Sequence, residues 1–174
     1  MNIFFLSVDP AKCAKYHCNS HVVKMIVEYC QLLSTAHRVL DPPNDFHLLL
    51  YKATHSNHPS AIWVRQGKKN YLWLHNLLSE LCKEYTFRYG KIHKCESSGL
   101  VQNLRTAPSK IPLGGTPLLL AMPDDVRFTA DPVRSYRTFY AVHKKHLLTW
   151  TNRDMPAWLN KFGYTEQVSN RNCK

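Results

Sequence analysis

The stretch from Tyr16 to Leu33, YHCNSHVVKMIVEYCQLL, constrains the fold more than any other, because its polar groups fall on one helical line. His17, His21, Lys24, Glu28 and Gln31 recur at spacings of four, three, four and three, which stacks them on a single helix face. Val22, Val23, Met25, Ile26, Val27, Cys30, Leu32 and Leu33 cover most of the remaining circumference, as in a central helix buried on several sides. Unpaired charges inside a core are too costly to keep, so the stripe either opens on a cleft or is paired across one. The competing reading is an ordinary Lys24–Glu28 helix ion pair on a solvated face.

Around this helix the sequence predicts a mainly α, compact bundle with a short N-terminal extended arm, and 174 residues are enough for one core and one domain, 1–174. The apolar arm, residues 2–8, ends at Asp9-Pro10; a short helix over Ala11 to Tyr16 then meets the central helix at a kink, with Asn19 or Ser20 as N-cap. The run Asp41-Pro42-Pro43-Asn44-Asp45 stops that helix. Asn57-His58-Pro59 opens a long helical pattern reaching about Tyr89, with Ile62, Trp63, Leu74, Leu77, Leu78, Leu81 and Cys82 inside. Its outer side carries Arg65, Lys68, Lys69, His75, Lys83, Glu84 and Arg88. Prolines and glycines between Gly90 and Asp131 predict ordered loop with one short helix over Glu96 to Leu104, after which Asp131-Pro132 starts another helix.

Charge narrows the partner. Lys and Arg number 23 against 12 acidic residues, a net charge of +11 that predicts attraction to a polyanion, nucleic acid first. The cations are scattered and no major-groove reader motif appears, so the expected binding is electrostatic and mostly independent of sequence. The candidate contacts are His17, His21, His58, Arg65, Lys68, Arg88, Lys91 and, in the C-terminal MPAWLNKFGY, Trp158, Lys161, Phe162 and Tyr164. Aromatics interleaved with cations grip distorted or single-stranded nucleic acid by stacking and phosphate contact; a hydrophobic cluster closing the core is the alternative for that segment. His58, at a helix start, either meets a phosphate or caps the helix. Six cysteines without a CxxC pair read as reduced thiols, and no signal-peptide core or membrane span appears. The chain is therefore expected in the cytoplasm, or the host cell's cytoplasm if it is viral, with no membrane partner.

No phosphate-binding loop, nucleophile elbow or dinucleotide fingerprint is present. Cys13, His17 and His21 fall four apart but lack a completing ligand pair, so no metal is expected. A metal-free chemistry fits better: an amine near Glu28 attacks a sugar anomeric carbon and forms a Schiff base, while the carboxylate stabilises the developing cation and moves protons. Two amines qualify, the α-amine of Met1 and Lys24. The former, with an ordinary pKa near ~8 against ~10.4 for lysine, is the more readily neutral.

Three patches resemble the pyrimidine-dimer DNA glycosylase family, the dimer-repair endonuclease V type, including its bacterial and phage members. They are HVVKMIVEYCQLL at 21–33, NHP and Trp63 followed by CKEYTFRYG at 82–90, and MPAWLNKFGY near the end. The resemblance implies a compact helical fold, a flipped nucleotide, and glycosylase plus strand-cleaving lyase activity without a cofactor; the expected partner is damaged or modified double-stranded DNA, met by a monomer. It also implies an N-terminal α-amine as nucleophile, assisted by a glutamate on the first long helix, here Met1 and Glu28 with Lys24 beside them. The chain departs from the family at Asn2, bulky where the family has a small residue exposed by removal of the initiator Met, and in the register of Glu28, since Lys24 and Met25 fall nearer the family's glutamate position. Residues 91–130 match nothing in the family pattern. Two other readings stay open: a related enzyme acting on another modified base or on a nucleotide, and a non-catalytic basic nucleic-acid-binding protein.

Overall fold

The computed structural model describes residues 1–164, which hold helices and loops and no strand. Helices α1 (Pro10–Tyr16), α2 (Asn19–Leu40), α3 (Pro59–Arg65), α4 (Lys68–Tyr89), α5 (Lys94–Ser97), α6 (Leu100–Asn103) and α7 (Pro132–His143) are joined by loops carrying short 3-10 turns. The mainly α bundle around a buried α2 is as the patterning predicts. Three starts follow local signals: Asp9, His58 and Asp131 accept N–H bonds from the first turns of α1, α3 and α7, and each is followed by proline.

The two long helices start differently. Neither α2 nor α4 has a side-chain cap, and their first amides are satisfied by distant carbonyls: Asn19 N–H donates to Thr149 O at 2.9 Å, Lys68 N–H to Pro112 O at 2.8 Å and Lys69 N–H to Gly114 O at 2.7 Å. The long helix expected over 59–89 is consequently two. Gly67 separates α3 from α4 because the 112–115 loop lies against it; a Cβ there would stand 2.8 Å from the Gly114 carbonyl oxygen. Gly99, in the left-handed region at φ +79, likewise divides the helix expected over 96–104 into α5 and α6.

One hydrophobic cluster runs from Ile3 to Leu159, with α4 packed on α1, α2 and α3. Its largest members, Tyr29, Tyr71, Tyr136 and Tyr140, are fully buried, and each hydroxyl is bonded, since an orphaned buried polar group is costly. Tyr71 donates to Leu104 O at 2.8 Å, Tyr29 meets His17 Nε2 at 3.1 Å, and Tyr140 meets His21 Nδ1.

The outer side expected for α4 needs correction, because His75, Glu84 and Arg88 are buried. Glu84 accepts from Arg88 at 2.7 Å and from Arg153 at 2.9 and 2.8 Å. Arg88 also donates to Asn19 Oδ1 and to Lys15 O, both at 3.1 Å, so it spans the break between α1 and α2. Burial alone would push the Glu84 carboxyl up, but the two guanidiniums outweigh it and hold it below the ordinary range. Periodicity misjudged this face because a satisfied internal ion cluster and a solvated charged face are written in the same residues.

Candidate active site

The N-terminal arm, Met1 to Leu6, lies across α2 and α7, with a tight turn closed by Leu6 N–H on Phe4 O at 3.0 Å. Ile3, Phe4 and Leu6 are buried; Phe4 lies flat on the His21 ring at 4.2 Å between centroids and edge-on to Tyr140. Three bonds to its backbone fix its middle and far end: Phe4 N–H to the Tyr29 hydroxyl at 3.3 Å, the Cys13 thiol to Phe4 O at 3.2 Å and Arg137 Nε to Leu6 O at 3.0 Å. Its start is held by the Met1 side chain, 4% exposed and packed on the core, and by Asn2, whose Nδ2 donates to Ala121 O at 2.8 Å and whose Oδ1 accepts from the Tyr136 hydroxyl at 2.9 Å and from Ile3 N–H at 2.8 Å.

This folding-back brings the chain's first amine to α2. Met1 N stands 3.8 Å from Glu28 Oε2, and Asn2 N–H donates to the same oxygen at 3.3 Å. The other carboxylate oxygen, Oε1, lies 3.5 Å from Lys24 Nζ. The Lys24 side chain is 70% exposed and that of Glu28 13%, so the carboxylate is shielded while its lysine reaches solvent. Met1, Lys24 and Glu28 therefore meet, and the ordinary helix ion pair accounts for only one of the two carboxylate oxygens.

His58 belongs to the same neighbourhood. Its Nδ1 accepts Ser60 N–H at 3.1 Å as the N-cap of α3, and its pKa is lowered by burial, then by the terminal amine and His55, with Glu28 opposing. The capping bond assigns the Nδ1 lone pair and leaves Nε2 as the nitrogen able to donate. His55 sits nearby at φ +48, an unusual conformation for a residue with a side chain, with its Nδ1 2.7 Å from Thr54 Oγ1.

Other expected contacts are placed elsewhere. His17 is in the break after α1, off the α2 stripe, and His17 and His21 are both buried. Burial lowers their pKa values to about 4 and about 3, so both rings are neutral at physiological pH and serve as tyrosine partners inside the core, not as phosphate-binding cations. Arg88 is withdrawn into the Glu84 cluster. Arg65 is half-buried and donates to Ser56 O at 2.6 Å, bracing the loop that carries His55 and His58. Lys68, Lys91 and Lys161 are exposed, as is Phe162 at 40%. Trp158 is corrected to the core at 8% exposure, edge-on to Tyr16 and 5.4 Å from the Arg137 guanidinium, while the Tyr164 hydroxyl donates to Ala141 O at 2.6 Å. The C-terminal segment thus closes the core at Trp158 and reaches the surface at Lys161 and Phe162. Gln31 is half-buried, and Cys173 lies outside the described residues.

Sequence reasoning missed Asn2, Tyr136 and Ala121 as parts of the site. Tyr136 reads as one more apolar position of α7, and nothing in one dimension pairs a loop carbonyl with the second residue. Among the described residues no group of three or more His, Cys, Asp or Glu is arranged to hold a metal ion, and no helix is long and apolar enough to cross a membrane.

The Met1 amine against a shielded carboxylate, beside an exposed lysine and in a strongly basic helical protein, is a candidate site for chemistry on an anionic substrate. The chain belongs to the pyrimidine dimer DNA glycosylase family, whose model matches residues 1–97, more than half of it. DNA glycosylase is thus its activity at family level, in DNA repair, and DNA its partner. No curated protein and no solved structure matches it. The matched span contains Met1, Lys24, Glu28 and His58, and ends before Ala121 and Tyr136.

Proposed function

We propose that this protein releases a damaged base from duplex DNA through an imine formed by the α-amine of Met1, and that the same imine gives it strand-cleaving lyase activity. The observation that carries the reading is the terminal amine 3.8 Å from Glu28 Oε2. The neutral amine attacks C1′ of the extruded nucleotide, the glycosidic bond breaks toward the base, and the base departs with the electron pair and takes up a proton. The sugar ring opens as O4′ is protonated, giving the imine. Removal of a C2′ proton then expels the 3′ phosphate, and water releases the enzyme. Glu28 faces the developing positive charge and is the group placed to carry the protons. Lys24, mostly in solvent but anchored on Glu28, and His58, with Nε2 free to donate, serve as phosphate or sugar contacts; Lys68, Lys91, Lys161 and Phe162 extend the interface, with the chain acting as a single-domain monomer.

The test is borohydride reduction on a duplex bearing a single thymine dimer or abasic site. A covalent protein–DNA adduct carried by the first residue is expected; base release without an adduct would remove the amine from the mechanism. A tag fused ahead of Met1 converts the amine to an amide and serves as the negative control. A second reading, release of a different modified base, is favoured by one observation: the family match stops at residue 97, so the loop and α7 that frame the arm lie outside it. A panel of damaged duplexes separates the two.

A further inference from the structure

We propose that Asn2 is a positioning residue: its carboxamide, gripped by Tyr136 and Ala121, sets where the chain-end amine stands against Glu28. The inference rests on the amine reading above and adds the part that makes it geometrically dependable. The end of an extended arm with no strand partner frays unless something ties it. Phe4 and Leu6 are tied by Tyr29 and Arg137, but both lie downstream of the reacting end. At residue 2 the bonds are those of the carboxamide, together with the N–H that meets Glu28 itself.

The partners are rigid. Tyr136 is fully buried on α7, and Asn2 Oδ1 is the acceptor its hydroxyl uses there. Ala121 follows, in the same loop, Thr116, which is fastened to α3 and α4: Trp63 Nε1 donates to Thr116 O at 3.1 Å, and Asn70 exchanges bonds with Thr116 at 2.8 and 3.1 Å. The clamp therefore transmits the position of the bundle to the first residue. Asparagine suits it chemically, since the same group must accept twice on oxygen and donate on nitrogen. Aspartate keeps the shape but faces the Ala121 carbonyl with an oxygen; leucine keeps the bulk and makes none of these bonds. The carboxamide oxygen and one of its N–H groups are bonded within the protein.

The experiment compares wild type with Asn2→Asp, Asn2→Leu and Tyr136→Phe, all large enough at residue 2 to leave the chain end as it is, with intact mass confirming it. Borohydride trapping under single turnover on a duplex with one abasic site is read beside kcat and KM on a thymine-dimer duplex, with thermal melting as the folding control. Misplacing a reacting group by about 1 Å costs up to ~100-fold, so Asn2→Leu should lower the trapping rate and kcat by at least about tenfold, with KM within about twofold. Tyr136→Phe, which removes one bond and one atom, should act in the same direction and more weakly. Wild-type trapping rates in folded Asn2→Leu and Tyr136→Phe overturn the clamp while leaving the amine in place. No adduct in wild type removes the amine reading and the positioning role with it. If Asn2→Leu fails to fold, Asn2→Asp and Tyr136→Phe decide the question.

Discussion

Replacing Glu28 with glutamine separates the chemical from the structural role of the α2 stripe. The substitution keeps the volume and an acceptor for the Asn2 N–H at 3.3 Å, and removes only the negative charge between Met1 N at 3.8 Å and Lys24 Nζ at 3.5 Å. The Lys24 arm of that arrangement is mostly in water, where such helix pairs contribute about 0.3–0.5 kcal/mol. The Met1 arm is shielded, its side chains 4% and 13% exposed, and adds to this, so a total loss of about 1–2 kcal/mol follows, a shift of roughly 2–8 °C for a chain of this size. Catalysis should respond far more strongly. Deleting a preorganised group that meets charge developing in the transition state costs roughly 100- to 1,000-fold in kcat, or about 3–4 kcal/mol. Single-turnover base release from a thymine-dimer duplex, with anisotropy for affinity and circular dichroism for folding, reads all three quantities. A rate within a few-fold of wild type would refute the reasoning, as would a rate lost only in proportion to a collapse of the fold.

Four further outcomes follow from the geometry. Glu84→Gln leaves the buried Arg88 guanidinium without its counter-charge and should cost about 3–5 kcal/mol in denaturant unfolding; a loss under ~1 kcal/mol would mean that water compensates it. Stability should fall as pH drops below about 6.5, because His17 and His21 are lowered to about 4 and about 3 in the folded chain and take up protons first on unfolding, with Glu84 adding its own loss below roughly pH 4.3; a flat melting temperature from pH 7 to 5 would contradict their burial. Gly67→Ala should destabilise by about 1–3 kcal/mol through collision with the 112–115 loop, and an unchanged denaturation midpoint would show that the loop yields. Trp158→Ala should cost about 3–5 kcal/mol, whereas Trp158→Phe, which also deletes an indole N–H without a partner among the described residues, should be nearly neutral; equal losses would mean that the N–H is satisfied.

What was legible in the sequence follows the range of the physics. Helix starts set by neighbouring residues, at Asp9-Pro10, His58-Pro59 and Asp131-Pro132, were readable because cap and proline act within one turn. The meeting of Glu28 with Met1 was suggested by chemistry and the family resemblance, since periodicity places Glu28 on a face but says nothing about what crosses it. The sequence puts Arg88 on an outer face and His17 and His21 on a stripe that opens on a cleft or is paired across one, because polarity in one dimension does not reveal a buried partner; of the two readings open for Trp158, its burial matches the one in which the segment closes the core. Gly67 and the Asn2 clamp were invisible because both depend on carbonyls from a loop whose own pattern had no period to read.

The borrowed caps of α2 and α4 bear on synthesis and on truncation. During translation both helices leave the ribosome with open first-turn amides, α4 until Pro112 and Gly114 follow and α2 until Thr149 does. A fragment cut at residue 97, however well it matches the family, would carry its glutamate on a helix that has lost the carbonyl for its first amide, would pack that helix on α4 with two such amides open, and would have neither Tyr136 nor Ala121 to steady the arm that carries its amine. The smallest active piece of this protein should therefore extend well past residue 97, where the family match ends.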